Sequence, residues 1–301
     1  MEHLNLEGGR ATGLSARFLD RRTLQPTAHR LEVEVEVVVV AAGGLNTAPL
    51  LMRSKVPDPS RELGRNLKVN PCPQLFGLFD TDVVMWRNIP AGVGTMALRR
   101  HRFEGGRYVE GGYLLYPNQL PPATLAALLP GFGRAHRKLM ERAHQLGSSI
   151  AWIDDSGSGS VTLDDDGAPQ WHFELDALDE LTVRDALKKE ARVLFEAGAT
   201  EVLVPDAAGS RLHGPEQLQQ LDRVVVSRSM LLAAPHPCGM TRMGSDPARS
   251  VVAPTHEVHA VKGLYVCDPS VFPTAPSVDP SESIMAFSLV AAKGMLERGV
   301  V

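Results

Sequence analysis

The stretch that decides the fold lies near the C-terminus and comprises three short motifs. They read HPCGMTRMGSDP at residues 236–247, GLYVCDPSVFPT at 263–274 and DPSESIMA at 279–286. A lone histidine, His236, stands in a turn rich in Gly and Met, and a short apolar strand then closes on Asp268. A helix that begins with proline follows. This density of special residues exceeds what a packed core requires and indicates a chemical site.

The N-terminal part of the chain is predicted to supply strands. Residues 10–20 form a predicted strand, a polar turn at 25–26 follows, and LEVEVEV at 31–37 alternates with period two. This pattern predicts a hairpin whose second arm has one face in water. The run VVVV at 37–40 then predicts a strand buried on both faces, as in a parallel sheet.

Two glycines, Gly43 and Gly44, follow that strand and permit a tight turn into a helix. Asn46 or Thr47 can cap this helix, and Pro49 suits its first turn. Strand, glycine turn and helix make up half of a nucleotide-binding βαβ unit, whose helix start offers amides to phosphate. An equally good interpretation is that the glycines only let the helix and the strand pack closely.

The middle of the chain lacks a regular βαβ alternation. Predicted strands at 74–79, 112–116, 148–153 and 201–204 mix with predicted helices at 125–143 and 181–197. We interpret this mixture as an antiparallel sheet covered by helices. The Gly-rich segment at 154–160 does not match Gly-x-Gly-x-x-Gly, and we interpret it as a hairpin loop that leads into a strand.

The predicted fold class is therefore α/β with an α+β insert. Residues 1–68, with the hairpin and the βα unit, are predicted to join residues 229–301 in one domain. Residues 69–228 form the predicted insert.

Composition indicates an ordinary globular protein. Of the 301 residues, 44% are hydrophobic and 22% are charged, and the net charge of −4 comes without a Lys or Arg block, so nothing favours nucleic acid as a partner. Cys72, Cys238 and Cys267 have no metal-like spacing and predict thiols in a reducing compartment. The longest apolar run, at 37–42, is too short to span a bilayer, and no signal peptide pattern is visible. We predict a cytoplasmic protein.

Taken together, these residues resemble the C-terminal part of a glucose–methanol–choline (GMC) oxidoreductase, a family of FAD-dependent alcohol oxidases and dehydrogenases. The resemblance rests on residues 37–54, on GRNL at 64–67 and on the three C-terminal motifs. Residues 153–159 and the helix at 181–197 are most similar to the long-chain alcohol oxidase branch. The resemblance implies an incomplete FAD-binding Rossmann-like domain, an inserted substrate-binding domain, FAD as cofactor and a primary alcohol as substrate.

Two residues carry the chemistry that the resemblance implies. His236 stands at the family's active-site base, which takes the alcohol's hydroxyl proton while hydride leaves its carbon for flavin N5. Imidazole suits this role because its unperturbed pKa of ~6.5 leaves a neutral base near pH 7. Asp279 stands where the family has Asn or His as second catalytic residue, and an ionised carboxylate there cannot donate to substrate oxygen. Without the flanking motif, His236 would more often be a hydrogen-bonded turn residue.

The same resemblance predicts cofactor contacts after the apolar strand. Asp268, Pro269 and Ser270 stand where the family contacts the ribityl chain and the pyrophosphate of the flavin. Asp268 ends a predicted strand, where doubly wound folds place ligand contacts, and a strand-end turn acid is the alternative interpretation. Gly43 and Gly44 are the further predicted cofactor contacts, through the amides of the βα turn.

The last helix is predicted to begin with a cap. Asp279 is the expected N-cap, Pro280 the first helical residue, and Glu282 completes an acidic capping box. The resemblance directs this N-terminus, with Pro280 and Ser281, at the flavin ring. An apolar stripe is predicted along the helix at Ile284, Phe287, Ala291 and Met295.

The sequence departs from the family in one major respect. It contains no Gly-x-Gly-x-x-Gly βαβ unit, so this FAD-binding segment is expected either from a second chain, as a partner, or from sequence upstream of a mis-called start. The alternative is a non-catalytic remnant or interaction subunit of a GMC-type protein. No metal site is predicted, because His256 and His259 would face opposite sides of a predicted strand.

Overall fold

The computed structural model describes residues 1–87, 89, 91–224 and 226–300. The chain divides into two compact units. The first unit comprises residues 1–69, 157–174 and 236–301, and the second comprises residues 70–156 and 175–235. Each unit is described by itself below.

The strands of both units, in chain order, are β1 His3–Glu7, β2 Arg10–Leu19, β3 Pro26–Glu34, β4 Val38–Val40, β5 Arg65–Leu67, β6 Gln74–Leu78, β7 Arg102–Glu104, β8 Arg107–Glu110, β9 Tyr113–Pro117, β10 Leu146–Ile153, β11 Gly159–Leu163, β12 Pro169–His172, β13 Glu201–Leu203, β14 Arg211–Leu212 and β15 Leu264–Val266. The α-helices are α1 Thr47–Arg53, α2 Pro122–Leu128, α3 Gly133–Glu141, α4 Ala177–Glu196, α5 Val226–Ser229 and α6 Ser281–Glu297. These elements confirm the predicted mixture of strands and helices.

The first unit opens with a three-stranded antiparallel sheet in the order β1-β2-β3. The predicted hairpin is confirmed, since β2 pairs with β3 through a register that includes Leu14 with Val33. The second arm begins earlier than predicted and ends at Glu34. The expectation that its other face is buried is wrong, because Leu31 is 44% exposed and Val33 is only partly buried.

The parallel pairing predicted for the valine run is confirmed. Strand β4 pairs in parallel with β15, with Val38 opposite Leu264 and Val40 opposite Val266. The expectation that this run is buried on both faces is wrong, because Val39 is 49% exposed while Val38 and Val40 lie in the core. Within the first unit, one face of this two-stranded sheet is therefore covered and the other is open.

A third sheet of the first unit has the order β12-β11-β5. Strand β11 pairs with β12 and with β5, so residues 157–174 join the first unit although the sequence analysis placed them within the 69–228 insert. The Gly-rich segment at 154–160 is therefore no hairpin loop. It carries the chain out of the second unit because the hydrogen-bonding partners of β11 are in the first.

The second unit is built on a five-stranded sheet in the order β14-β13-β6-β10-β9, and its pairings are antiparallel as predicted. Helix α4 packs on one face, where Leu75, Leu115 and Ile153 meet Leu187 in one core cluster. Residues of α2 and α3 pack with Phe76 in a second cluster. Successive residues of β6 thus pack into opposite cores, because neighbouring side chains of a strand point to opposite faces of the sheet.

Helix α4 is confirmed, but it begins four residues before the predicted start at residue 181 and ends at Glu196. Asp176 is the N-cap and forms a reciprocal capping box with Asp179, and Gly198 follows the helix with φ of +97°. Helix α4 also carries a fully buried carboxyl group, that of Glu190. Its Oε2 accepts from the Leu75 amide at 3.0 Å, while Oε1 has no hydrogen-bond partner among the described residues. Burial raises the pKa of Glu190 well above its ordinary value.

Three further observations bear on the predictions from composition. In the part of the chain that the structure describes, Cys72, Cys238 and Cys267 form no disulfide. Among the residues that the structure describes, no helix is both long enough and apolar enough to cross a membrane. The cytoplasmic location stays a prediction.

Replacing Glu190 with glutamine should remove a pH-dependent loss of stability. The folded chain keeps the Glu190 proton above the ordinary carboxyl pKa of 4.5, whereas the unfolded chain releases it. The free energy of unfolding of the wild type, relative to E190Q, should therefore fall as pH rises from that value, by up to ~1.4 kcal/mol per pH unit.

Denaturant titrations at a series of pH values measure this difference. Glu196 lies on the same helix in an exposed position, so E196Q is the matched control and should follow the wild-type slope. Parallel pH profiles for E190Q and the wild type would show that Glu190 is not held protonated.

Candidate active site

The first two C-terminal motifs lie side by side in the first unit. The Gly239 amide donates to the Pro269 carbonyl at 3.2 Å, and the Thr241 amide donates to the Ser270 carbonyl at 2.8 Å. His236 stands three residues before this pairing begins. Its backbone is therefore positioned by the turn that follows β15.

The carboxylate of Asp268 joins that turn to the start of α1. Its Oδ2 accepts from the Gly43 amide at 3.0 Å and from the Thr47 hydroxyl at 2.5 Å, and its Oδ1 accepts from the Ser270 amide at 2.8 Å. The strands β4 and β15 are parallel, so both of these turns leave the sheet at the same edge. Asp268 is only 6% exposed, and its charge is met by these donors.

The two glycines after β4 have different structural roles. Gly43 adopts φ of +86°, a conformation that glycine favours, and its amide is the one that Asp268 accepts. Gly44 faces the backbone of the His236 motif, where an added Cβ would overlap the carbonyl oxygen of Pro237. This geometry supports the close-packing interpretation, and a contact of either amide with phosphate stays a prediction.

Pro269 and Ser270 are both engaged within the protein. Pro269 has no N–H, and its carbonyl accepts from Gly239 and Phe272. The Ser270 side chain is fully buried, and its hydroxyl lies 2.6 Å from the Thr241 hydroxyl. Sequence reasoning missed Thr241, whose only signal is its place five residues after the predicted base. Any contact of Pro269 or Ser270 with a cofactor stays a prediction.

The structure brings the two predicted catalytic residues together. His236 Nε2 lies 3.4 Å from Asp279 Oδ1, and the exposed fractions of the two side chains are 13% and 55%. Burial lowers the pKa of His236 below its ordinary value of 6.5, and the charge of Asp279 opposes this shift in part. The imidazole is therefore neutral at pH 7, with a carboxylate beside it.

The last helix begins differently from the prediction. Helix α6 starts at Ser281, Pro280 holds the N-cap position with φ of −89°, and none of the described side chains forms a capping hydrogen bond there. Asp279 is thus not the N-cap, because its carboxylate lies beside His236 instead. Ser281 and the residue after it are exposed, so the first-turn amides of α6 are accessible in this unit.

Ser277 is a further candidate that sequence reasoning missed. It is 1% exposed and adopts φ of +51°, and its hydroxyl has no hydrogen-bond partner among the described residues. A buried hydroxyl without a partner is costly, so a bound ligand is a natural partner for it. No sequence signal marks this residue, because a positive φ at serine depends on the surrounding structure.

The two histidines considered for a metal lie in a turn-rich segment, not on the predicted strand. The buried His256 has Nδ1 2.8 Å from the Val266 carbonyl oxygen, and His259 Nε2 lies 3.0 Å from the Ser250 hydroxyl. Each ring thus has its own contact within the fold. In the described part of the chain, no cluster of three or more His, Cys, Asp or Glu side chains could hold a metal ion.

Two family models match the chain, and both are described as GMC oxidoreductase. The N-terminal model matches residues 1–72 and the C-terminal model matches residues 155–288, which together make up more than half of the chain. The chain belongs to the GMC oxidoreductase family.

Related sequences agree with this assignment. An uncharacterized GMC-type oxidoreductase of Mycobacterium tuberculosis is 33% identical over 97% of this chain, and this chain spans 44% of its length. A long-chain-alcohol oxidase of Arabidopsis thaliana is 26% identical over 85% of this chain, which spans 36% of its length. The chain thus spans less than half the length of these curated relatives.

Solved structures share the fold. A formate oxidase of Aspergillus oryzae matches with a TM-score of 0.69 at 16% identity, over 99% of this chain and 59% of that chain. The predicted α/β fold class is therefore confirmed as the FAD-binding fold of these flavoenzymes.

Replacing Thr47 with valine should destabilise the first unit. The variant keeps the shape of the fully buried side chain but removes one of the donors to the Asp268 carboxylate. Hydrogen bonds to charged groups contribute roughly 1.5–3 kcal/mol, so the free energy of unfolding should fall by about that amount. Denaturant titration measures it. Thr255 is exposed, and T255V should match the wild type; an equal loss in both variants would contradict the role of the Thr47 hydroxyl.

Replacing Asp279 with asparagine should lower the pKa of His236 further. The Asp279 charge raises this pKa against the larger effect of burial, so its removal leaves burial unopposed. An NMR titration of the imidazole Cε1 resonance measures both values. Asp165 is an exposed acid of the same unit, and D165N should leave the His236 titration unchanged. A higher His236 pKa in D279N would contradict the assigned electrostatics.

Proposed function

We propose that this chain supplies the catalytic part of an FAD-dependent alcohol oxidoreductase, in which His236 accepts the hydroxyl proton of the alcohol. The observation that carries the proposal is the pairing of a largely buried, neutral imidazole with Asp279 at 3.4 Å. The segment that follows His236 pairs with the turn after Asp268, and Pro237 packs against Gly44.

The residues present fit FAD, the cofactor of this family. The Ser277 hydroxyl is buried and unpartnered among the described residues, and the first turn of α6, with Ser281 exposed, presents the positive end of a 17-residue helix. Asp268 accepts three hydrogen bonds, which leaves a carboxylate room for one more, such as that of a ribityl hydroxyl. When bound, FAD supplies the acceptor for the hydride at its N5.

His236 is suited to take a proton at neutral pH. Its lowered pKa keeps the imidazole neutral, and a neutral imidazole within hydrogen-bond reach of a hydroxyl acts as a general base. Once the proton has moved, the imidazolium lies beside the Asp279 carboxylate, whose opposite charge stabilises it. Asp279 therefore favours the protonated product of this step.

The same carboxylate has a second, opposing effect. An ionised Asp279 accepts hydrogen bonds but donates none, and its negative charge disfavours a full negative charge on the substrate oxygen. We infer that the hydroxyl proton leaves as the hydride does, so that no free alkoxide accumulates beside Asp279. An asparagine at this position would donate to the substrate oxygen instead.

A primary alcohol with a long alkyl chain is the proposed substrate. Support comes from the long-chain-alcohol oxidase of Arabidopsis thaliana, which matches 85% of this chain. The family resemblance predicts that the insert binds the substrate. The second unit, which comprises most of this insert, is rich in apolar side chains.

The proposed partner is a second chain that carries a Gly-x-Gly-x-x-Gly nucleotide-binding segment. Parallel sheets are normally covered on both faces, whereas Val39 of β4 is exposed in the first unit. Contiguous exposed apolar surface marks interaction sites. Helix α6 adds such surface, with Met285, Leu289, Val290 and Leu296 each more than 60% exposed.

Flavin absorbance tests this proposal directly. The full chain is incubated with FAD, alone and with the part of the mycobacterial relative that this chain does not match. We expect the mixture to hold flavin through gel filtration and to lose its yellow colour when a long primary alcohol is added without oxygen. Flavin that stays bound but unreduced would show that the site does not oxidise alcohols.

Replacing His236 with alanine should slow that bleaching by about 10²–10⁴-fold, because a positioned general base contributes about this much. Stopped-flow absorbance of the reconstituted flavoprotein measures the rate. His29 is exposed on β3, and H29A should react like the wild type. Equal rates for H236A and the wild type would remove His236 as the base.

One observation favours the alternative of a non-catalytic remnant or interaction subunit. Asp279 presents a carboxylate to His236 where the family resemblance implies an Asn or His. A preparation that stays colourless with FAD, with or without the added part of the relative, would support this alternative.

A further inference from the structure

The second unit contains a cavity of about 570 Å³, and none of the residues assigned to the proposed oxidation lines it. The cavity lies at the end of the sheet where β9 ends and β10 begins, next to the last turn of α4. Pockets of roughly 300–1,000 Å³ are typical of small-molecule sites. Neither His236 nor Asp279 lines it, and all the lining residues belong to the second unit.

The walls of this cavity are apolar. Leu115 and Pro117 of β9 face it from the sheet, and Val193 and Leu194 face it from α4. Phe79, which follows β6, completes this wall. No charged side chain occurs among the described residues that line the cavity.

Several polar side chains also line the cavity, and two of their buried atoms lack a hydrogen-bond partner among the described residues. Ser149 is 3% exposed, and its hydroxyl has no hydrogen-bond partner among the described residues. The buried Nε2 of Gln119 likewise has no hydrogen-bond partner among the described residues. Ser149 pairs with Pro117 across the sheet, so it lies on the same face of the strands as that wall residue. Both residues line the cavity.

The chemistry of these atoms specifies a ligand. The Ser149 hydroxyl and the Gln119 amide can both donate, so the matching group is an oxygen acceptor. A carboxylate would bring a charge into a cavity that has no charged partner for it, which is costly. A neutral oxygen head on an apolar tail satisfies both the polar atoms and the walls.

The cavity also has an apolar entrance. Val93 is 79% exposed and Val193 is 48% exposed, and both line the cavity while they meet solvent. Exposed apolar residues at the rim allow an alkyl chain to enter without crossing a charged surface.

We propose that this cavity is a binding site for a neutral long-chain alcohol, with its hydroxyl oxygen at Ser149 and Gln119 and its alkyl chain along the apolar walls. The inference stands apart from the proposed oxidation, since it uses none of the residues assigned to that reaction.

Isothermal titration of the full chain with hexanol, octanol and decanol tests this site. Burial of each methylene contributes ~0.8 kcal/mol, so affinity should rise by about four-fold per methylene along the series. Decanoate, which carries a charge, should bind at least about ten-fold more weakly than decanol. Equal affinity for decanol and decanoate would overturn the assigned neutral head.

Two tryptophan variants locate the binding. V193W fills the cavity from an exposed helix position and should abolish decanol binding. Leu181 lies on the same helix with a similar exposure of 46% but does not line the cavity, so L181W should bind like the wild type. Unchanged decanol affinity in V193W would overturn the proposal, whatever the result of the flavin experiments.

Ser149→Ala separates a ligand contact from a structural role. The hydroxyl has no hydrogen-bond partner among the described residues, so S149A should unfold at the same denaturant concentration as the wild type or a higher one. Its decanol affinity should nevertheless fall by about two- to ten-fold, as expected for one neutral hydrogen bond. A less stable S149A with unchanged decanol affinity would show that the hydroxyl serves the fold and not a ligand.

Discussion

Three donors from two distant parts of the chain converge on the carboxylate of Asp268. The Gly43 amide lies 225 residues away in sequence, and the Thr47 hydroxyl belongs to the same turn. Each hydrogen bond to such a charge contributes roughly 1.5–3 kcal/mol, a large share of the stability of a domain. This carboxylate therefore fixes the turn after β4 to the turn after β15. The turn after β15 also forms hydrogen bonds with the backbone of the segment that follows His236. The position of this base therefore depends on Asp268.

The environment of His236 combines two effects of opposite sign. Burial lowers its pKa and the nearby carboxylate of Asp279 raises it, with burial the larger. The result is a base that is neutral before it accepts a proton and is stabilised by a negative charge afterwards. The Asp279 carboxylate lies beside the His236 imidazole and does not cap α6. The first-turn amides of this helix are therefore accessible in the first unit.

The two units differ in how completely their sheets are covered. In the second unit, helices or loops pack on both faces of the five-stranded sheet. The cavity of about 570 Å³ lies beside this sheet, next to α4. In the first unit, the parallel pair of β4 and β15 is open on the side of Val39, and much of the apolar surface of α6 is exposed. The first unit thus has surface for a partner, whereas the second has space for a small ligand.

Local pattern alone determined much of this protein. Period-two alternation predicted the hairpin, an apolar run followed by two glycines predicted the β4–α1 unit, and helical periodicity predicted most of α4, because each depends on residues close in sequence. The family resemblance of the C-terminal motifs predicted His236 and Asp279 as catalytic residues, and the structure places their side chains 3.4 Å apart. Tertiary structure decided the rest: the exposure of Val39, the transfer of residues 157–174 to the first unit, the buried Glu190 and the direction of the Asp279 carboxylate. These features arise from contacts between residues far apart in sequence, which set burial and hydrogen-bond partners but leave no periodic signal in the chain.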